Sequence, residues 1–351
     1  MPTTFTPSRF NPAAFAGAHT DKLGHTTVRV RDTLAYVYSP PIVLAVNVAR
    51  ATGRPLLVEG KPGTGKTTLA ENIAAVLGWK FHAQTVTSRT RAHDLMWRYD
   101  ALRRLAHAQA NMLQPSEAYI EPQALWWAFD AAGATRRGAS QLPAVVNPAS
   151  DPQAQVRSDC AVVLIDEIDK AEPDVPNDLL QALDVARFTV DDLDPPRTVQ
   201  GTRSKVLMLI TTNGERELPA AFVRRCVVLT LQQPSADWLV TIANQRFGAG
   251  GQVLHREIAT RLMVLRQQAE ENRHREPSTA EYLDAVAACC DLGITTGSTE
   301  WQLLEQAVLW KRDTAVPVQN PTPSPTPSPT PSPAPSPALN STPNPVRPPA
   351  A

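Results

Sequence analysis

The sequence predicts an α/β fold: a three-layer domain around a five-stranded, mostly parallel sheet, followed by a small all-α domain. Three observations carry this reading. Five short runs of Val, Ile and Leu recur without polar alternation, as strands covered on both faces do. Strand, helix and second strand succeed one another over residues 55–86, the spacing of a β-α-β unit. Beyond Pro234 the strand signals stop and helical periodicity takes over.

Residues 1–34 are polar and rich in Pro and Thr, with no sustained period, and are expected to form a flexible extension. The run PIVLAVNVAR, from Pro41 to Arg50, predicts a short helix closed by Gly53 and Pro55. Residues 35–233 are assigned to the α/β domain, with its apolar runs at 55–60, 80–86, 161–167, 205–213 and 226–233. Between the first two, Leu69, Ile73, Val76 and Leu77 fall on one helical face, and Gly78 stands where a C-terminal cap belongs. Residues 234–316 are assigned to the helical domain, with helices at 236–247, 254–273, 279–292 and 299–312. Ser278 with Glu281, and Thr299 with Gln302, have capping-box spacing. From Pro317 onward proline alternates with Thr, Ser or Ala, so alternate backbone donors are missing and almost nothing apolar can be buried. Residues 317–351 are therefore expected to be a disordered, extended spacer.

Bulk composition narrows the function classes. Lys plus Arg (34) balances Asp plus Glu (34), which argues against a surface-wide nucleic-acid footprint; Arg89, Arg91, Arg103 and Arg104 are the notable local cluster. Cys160, Cys226, Cys289 and Cys290 form no C-x-x-C pair and read as reduced thiols. No secretory signal opens the chain, and no apolar run approaches the ~18 residues of a membrane span. A soluble cytoplasmic protein is the expectation.

Residues 60–67, GKPGTGKT, match G-x-x-x-x-G-K-[ST] between a predicted strand and a predicted helix. Gly60, Gly63 and Gly65 let the loop turn so that backbone N–H groups, with that of Thr64, face phosphate oxygens, and the helix N-terminus adds partial positive charge. Lys66 is placed to reach the β- and γ-phosphates, and the Thr67 hydroxyl to ligate Mg²⁺. Residues 162–167, VVLIDE, form an apolar strand that delivers two acids at its C-terminal end, where ligands sit in open α/β sheets. Asp166 can hold Mg²⁺ and Glu167 can take a proton from an attacking water. A small-molecule kinase has no need of that glutamate; a hydrolase does. Asn213, leaving the fourth apolar run, can position water or the γ-phosphate, or simply cap the strand end.

Together GKPGTGKT, LIDEIDK, TTNGERELPAAFVRRC and the helical segment resemble an AAA+ ATPase over residues 35–315, and within it the MoxR and dynein-related group with its helix-two insertion. The resemblance implies Mg²⁺-dependent ATP hydrolysis, with Thr68 joining the P-loop residues at the nucleotide. It also implies a homo-oligomeric ring, a hexamer in relatives, that remodels or assembles a protein partner, an unidentified client or an adhesion-type protein. Asn213 takes the sensor 1 position, and Arg225 matches the arginine finger better than its neighbour Arg224. Residues 121–128, with Trp126 and Trp127, resemble the helix-two insertion and the segment after it, though these tryptophans also fit core packing. Residues 188–190 and 205–209 flank what resembles a hairpin. One departure stands out: residues 277–281 carry no sensor 2 arginine, and Arg273 and Arg275 are the upstream candidates to replace it. A nucleic-acid motor or loader on the same core, or a nucleotide-dependent regulatory switch, are the alternatives.

Overall fold

Alternate residues of each apolar run reach opposite faces of one sheet, and both faces are covered. The computed structural model describes residues 9–22, 24–31, 34–139, 142–146 and 159–310. In chain order the first strands are β1 (His19–Thr20), β2 (Thr26–Arg31) and β3 (Leu34–Tyr38), an antiparallel sheet of their own. This corrects the expectation of a flexible extension for the described part of residues 1–34. The threonines there are β-branched as well as polar, and Phe10, Val28 and Tyr38 are buried as anchors. Asn47 fixes the start of the segment, accepting from Phe10 N (2.7 Å) and donating to Phe10 O (2.9 Å).

Next come α1 (Pro40–Thr52), β4 (Leu56–Glu59), α2 (Lys66–Leu77) and β5 (Lys80–Thr85). An insertion follows: β6 (Trp97–Tyr99), α3 (Ala101–Gln109) and β7 (Ile120–Pro122), with β6 antiparallel to β7. Helices α4 (Ala124–Phe129) and α5 (Ala131–Thr135) lead toward β8 (Ala161–Asp166) and α6 (Val175–Val185). β9 (Arg187–Val190) pairs with β10 (Arg197–Gln200), and β11 (Val206–Thr212), α7 (Ala220–Val223) and β12 (Val227–Thr230) close the α/β part. The hairpin thus pairs 187–190 with 197–200, and not with 205–209. Lys205 closes a 3-10 turn, and residues 206–209 begin β11, a central and largely buried strand of the main sheet.

The five-stranded sheet has the order β12-β4-β11-β8-β5, all parallel. On one face Leu57, Val163, Ile165 and Ile210 pack with Trp126 of α4 and Leu179 of α6. On the other, Leu56, Val58, Val162 and Leu164 pack with Val46 of α1 and Leu69 and Ile73 of α2. Each of these fully buried aliphatic side chains contributes roughly 1.5–3 kcal/mol relative to exposure, which is why the runs lack polar alternation. Trp126 (0% exposed) and Trp127 (5%) are core residues, so of the two readings open for them packing prevails.

Past Pro234 lie α8 (Ala236–Phe247), α9 (Gln252–Glu271), α10 (Thr279–Leu292) and α11 (Thr299–Leu304), the last continuing as a π-helical turn over Glu305–Leu309. They share a separate apolar cluster built on Leu239, Ile258, Leu262, Tyr282, Val286 and Trp301. The capping box at Ser278 and Glu281 forms in both directions, at 3.3 and 2.8 Å. The expected box at Thr299 does not: Ser298 is the N-cap and accepts from Trp301 N at 3.0 Å. The Pro-rich tail lies outside the described residues. Among the described residues no helix is long and apolar enough to cross a membrane.

Candidate functional site

At the carboxyl edge of the sheet, β4, β8 and β11 end side by side, with Thr212 in register with Glu59. The loop after β4 enters α2 through Gly65, whose φ of 89° is a left-handed conformation that a side chain would resist. Gly63 has φ 75°, and a methyl group there would overlap the Ser278 side chain. The loop is held partly by Thr64, whose hydroxyl donates to Lys61 O at 2.9 Å.

Lys66, the first residue of α2, is buried and turned into the hollow of the loop. Its Nζ donates to Gly60 O (2.6 Å), Lys61 O (3.1 Å) and Asn213 Oδ1 (2.8 Å). Burial holds its pKa below the usual lysine value, opposed by the charges of Asp166, Asp169 and Glu167. Beside it Thr67 Oγ1 donates to Asp166 Oδ2 at 2.9 Å. The Thr211 hydroxyl donates to the other Asp166 oxygen and accepts from Glu167 N at 2.9 Å.

Glu167 sits at φ 62°, where the chain turns sharply off β8. Its two carboxylate oxygens are both engaged. Lys170 Nζ donates to Oε2 at 2.7 Å, and Asn213 Nδ2 donates to Oε1 at 3.2 Å. The hydrogen bond to Glu167 raises the Lys170 pKa. Asp169, only 2% exposed, holds the turn that carries Asn213: its Oδ2 accepts from Asn213 N and Glu215 N, each at 3.0 Å.

The predicted residues Lys66, Thr67, Asp166, Glu167 and Asn213 are therefore brought into one hydrogen-bonded group. Arg225 stands apart. Its Nε pairs with Asp184 Oδ2 (3.0 Å) near the end of α6, and its Nη1 donates to Ala221 O (3.1 Å). Arg224 is the C-cap of α7. Of the candidates upstream of α10, Arg275 donates to Glu281 Oε1 (2.8 Å), while Arg273 lies at the surface.

Next to the loop opens a cavity of about 700 Å³ lined by Tyr36, Ile42, Thr64, Thr68, Trp238 and Leu283. His25 also lines it, its ring centroid 4.8 Å from that of Trp238. A volume of this order with apolar and aromatic walls suits a planar organic ring system. Asp169, Lys170, Thr211 and these aromatic residues were not legible as site residues. Asp169, Lys170 and Thr211 lie inside the quoted LIDEIDK and TTNGERELPAAFVRRC stretches without a role assigned to them, and Tyr36 and Trp238 lie in opposite halves of the chain.

Thr67 Oγ1 and Asp166 Oδ2 offer two hard oxygen donors side by side. Among the described residues no cluster of three or more His, Cys, Asp or Glu could cage a metal alone. A hydroxyl and one carboxylate fit Mg²⁺, which keeps waters and phosphate oxygens in its shell rather than an all-protein cage.

Residues 55–226 match the family model described as AAA domain (dynein-related subfamily). No curated protein matches the chain significantly. Among solved structures, a point mutant of Thermotoga maritima RuvB aligns at TM-score 0.41 and 17% identity, over 76% of this chain and 68% of that one. The Thermotoga maritima RuvB Holliday junction branch migration motor aligns at TM-score 0.38 and 16% identity, over 76% of this chain and 66% of that one, just under two thirds of its length. The loop after β4, the acids ending β8 and Asn213 after β11 all fall inside the match, so residues 55–226 form an AAA domain of the dynein-related subfamily.

Proposed function

We propose that this protein binds ATP with Mg²⁺, hydrolyses it, and works as an oligomeric ring that remodels or assembles a protein partner. The observation that carries the first part is the continuous path Thr67–Asp166–Thr211–Glu167–Asn213–Lys66. It joins a metal-ligand pair, a base, an orienting amide and a phosphate-binding cation, the groups that phosphoryl transfer to water requires. Lys66 and the loop amides hold the phosphates, and Thr67 and Asp166 would hold Mg²⁺, which neutralises charge on the transferred group when bound. Glu167 Oε takes a proton from the attacking water, and Asn213, bridging Glu167 and Lys66, keeps that water in line. Tyr36 and Trp238 enclose the base, with Thr68 at the same cavity.

Support for a protein partner comes from α3, whose Leu102 (81% exposed) and Leu105 (56%) project into solvent. A nucleic-acid track has less support, because Arg89 and Arg91 share their open cleft with Glu172 and Asp178. Arg225 is the group we assign to a neighbour's nucleotide, exchanging Asp184 for phosphate on assembly.

The test is ATP binding and phosphate release by wild type, Glu167→Gln and Arg225→Ala, alone and mixed. Glu167→Gln should bind ATP and keep it. Mixing Glu167→Gln with Arg225→Ala should restore hydrolysis at interfaces holding an intact base and an intact arginine, since a trans-acting arginine is worth ~10³ or more in rate. Wild type that binds ATP without turnover would make the protein a switch. Turnover by Glu167→Gln at the wild-type rate would remove the base assignment.

A further inference from the structure

The tip of the phosphate-binding loop touches the segment that leads into α10, 215 residues away in sequence. Lys61 Nζ forms an ion pair with Glu276 Oε1. Gln233 Nε2 donates to the other oxygen, Glu276 Oε2, at 2.9 Å. Glu276 is largely covered (18% exposed side chain), whereas Lys61 is mostly open to solvent (59%). Two residues further along both segments, Gly63 packs so closely on Ser278 that it has no room for a side chain.

The segment holding Glu276 is itself pinned by hydrogen bonds. Arg266, buried on α9, donates from Nε to Pro277 O (2.9 Å) and from Nη1 to Pro234 O (3.0 Å). Ser278 and Glu281 close the capping box, and Arg275 adds a bond to Glu281. α10 then continues into the core of the helical elements, where Tyr282 OH donates to His255 O at 3.0 Å. Thr279 and Leu283 of its first turns wall the same cavity as Thr64 and Thr68.

From this arrangement we infer that Glu276 is a positioning residue: through Lys61 it ties α10 to the phosphate-binding loop, so that nucleotide in the loop orders the helical elements. The inference rests on the ATP-binding reading above. Charge and mechanical linkage make opposite predictions here. Were the pair only a local charge balance, Lys61→Gln would leave a carboxylate near the phosphates and weaken binding. Glu276→Gln would then leave a free ammonium and strengthen it. A tie demands that both changes act in the same direction, because either one cuts it.

The experiment is titration of the full chain with a fluorescent ATP analogue, together with amide hydrogen exchange over residues 277–286 with and without ATP. In wild type, ATP should increase protection of those amides. Lys61→Gln and Glu276→Gln should each weaken binding by about threefold to tenfold and abolish the ATP-induced protection. The double exchange Lys61→Glu with Glu276→Lys should recover both within about twofold, as expected when a coupled pair is restored. Glu276→Asp keeps the charge but withdraws it by one methylene, so it should behave like Glu276→Gln. Opposite shifts in affinity for the two single variants, or a Glu276→Asp variant indistinguishable from wild type, would overturn the inference. Wild type that binds no nucleotide would overturn the ATP reading itself, a result separable from wild-type binding with unaffected variants.

Discussion

Asp169→Ala should destabilise the fold and slow turnover, although the sequence reading of LIDEIDK assigns this residue no role. Its Oδ2 accepts from two backbone donors, Asn213 N and Glu215 N, each at 3.0 Å, and the side chain is only 2% exposed. A hydrogen bond to a charged acceptor contributes roughly 1.5–3 kcal/mol net, so removing both costs about 3–6 kcal/mol. Part of this is returned. Oδ1 is buried with no partner among the described residues, a desolvation cost that alanine does not carry. Glu215 is exposed, so its freed N–H can reach water. A net loss near the lower bound, about 3 kcal/mol, follows, which for a domain of this size is a fall in Tm of roughly 6–12 °C. Asp169→Asn keeps an acceptor oxygen but loses the charge, and should fall about half as far. The turn carries Asn213, which bridges Lys66 and Glu167, so ATP turnover should drop on the order of tenfold to a hundredfold at about 20 °C, where both variants remain folded. Melting without nucleotide and phosphate release at saturating ATP measure the two effects. If Asp169→Ala melts within about 2 °C of wild type, or turns over at its rate, the claim that this carboxylate holds the turn is wrong.

Two further outcomes follow from local geometry. Gly63→Ala places a side chain at φ 75° against Ser278, a left-handed cost of about 1–2 kcal/mol plus the overlap. ATP affinity and Tm should both fall, and adding Ser278→Gly, which at an N-cap costs only a few tenths of a kcal/mol, should return the overlap part of the Tm loss. Should the double variant melt no higher than the single one, the Ser278 contact is not what excludes a side chain. His82, buried on β5, has its pKa lowered from 6.5 to about 4, by burial first and by Lys80 second. The folded state therefore binds this proton less readily than the unfolded chain. The stabilisation is complete above pH 6.5 and lost as pH falls toward 4, by at most about 3 kcal/mol. Denaturant unfolding across that range should show a smaller pH slope in His82→Gln than in wild type, and equal slopes would refute the assignment.

Sequence alone determined whatever depends on short-range pattern. The strand-loop-helix context of Gly60–Thr67 is contained in consecutive residues, because backbone dihedrals and the first turn of a helix are local matters. The runs that became the central strands β4, β8 and β11 were legible because strands buried on both faces have no polar alternation, those of the partly exposed edge strands β5 and β12 by their place in the succession, and capping at Ser278 because a cap spans four residues. The cap lies one position before Thr299: the Thr-x-x-Gln spacing suggests a box at Thr299, whereas Ser298, the stronger N-cap type, is the residue whose hydroxyl accepts from Trp301 N. What tertiary structure decided was the company each residue keeps. Residues 9–31 look like an extension by composition, yet Phe10 and Val28 find a core supplied by α1 and α2. Tyr36, Trp238 and His25 meet at one cavity, Asp169 becomes the anchor of Asn213, and Glu276 meets Lys61, all across sequence separations that no period spans. The carboxyl edge of a parallel sheet gathers residues from strands that are distant in the chain. Their types can be read one at a time, but which of them face each other is fixed only when strand order and helix packing close around them.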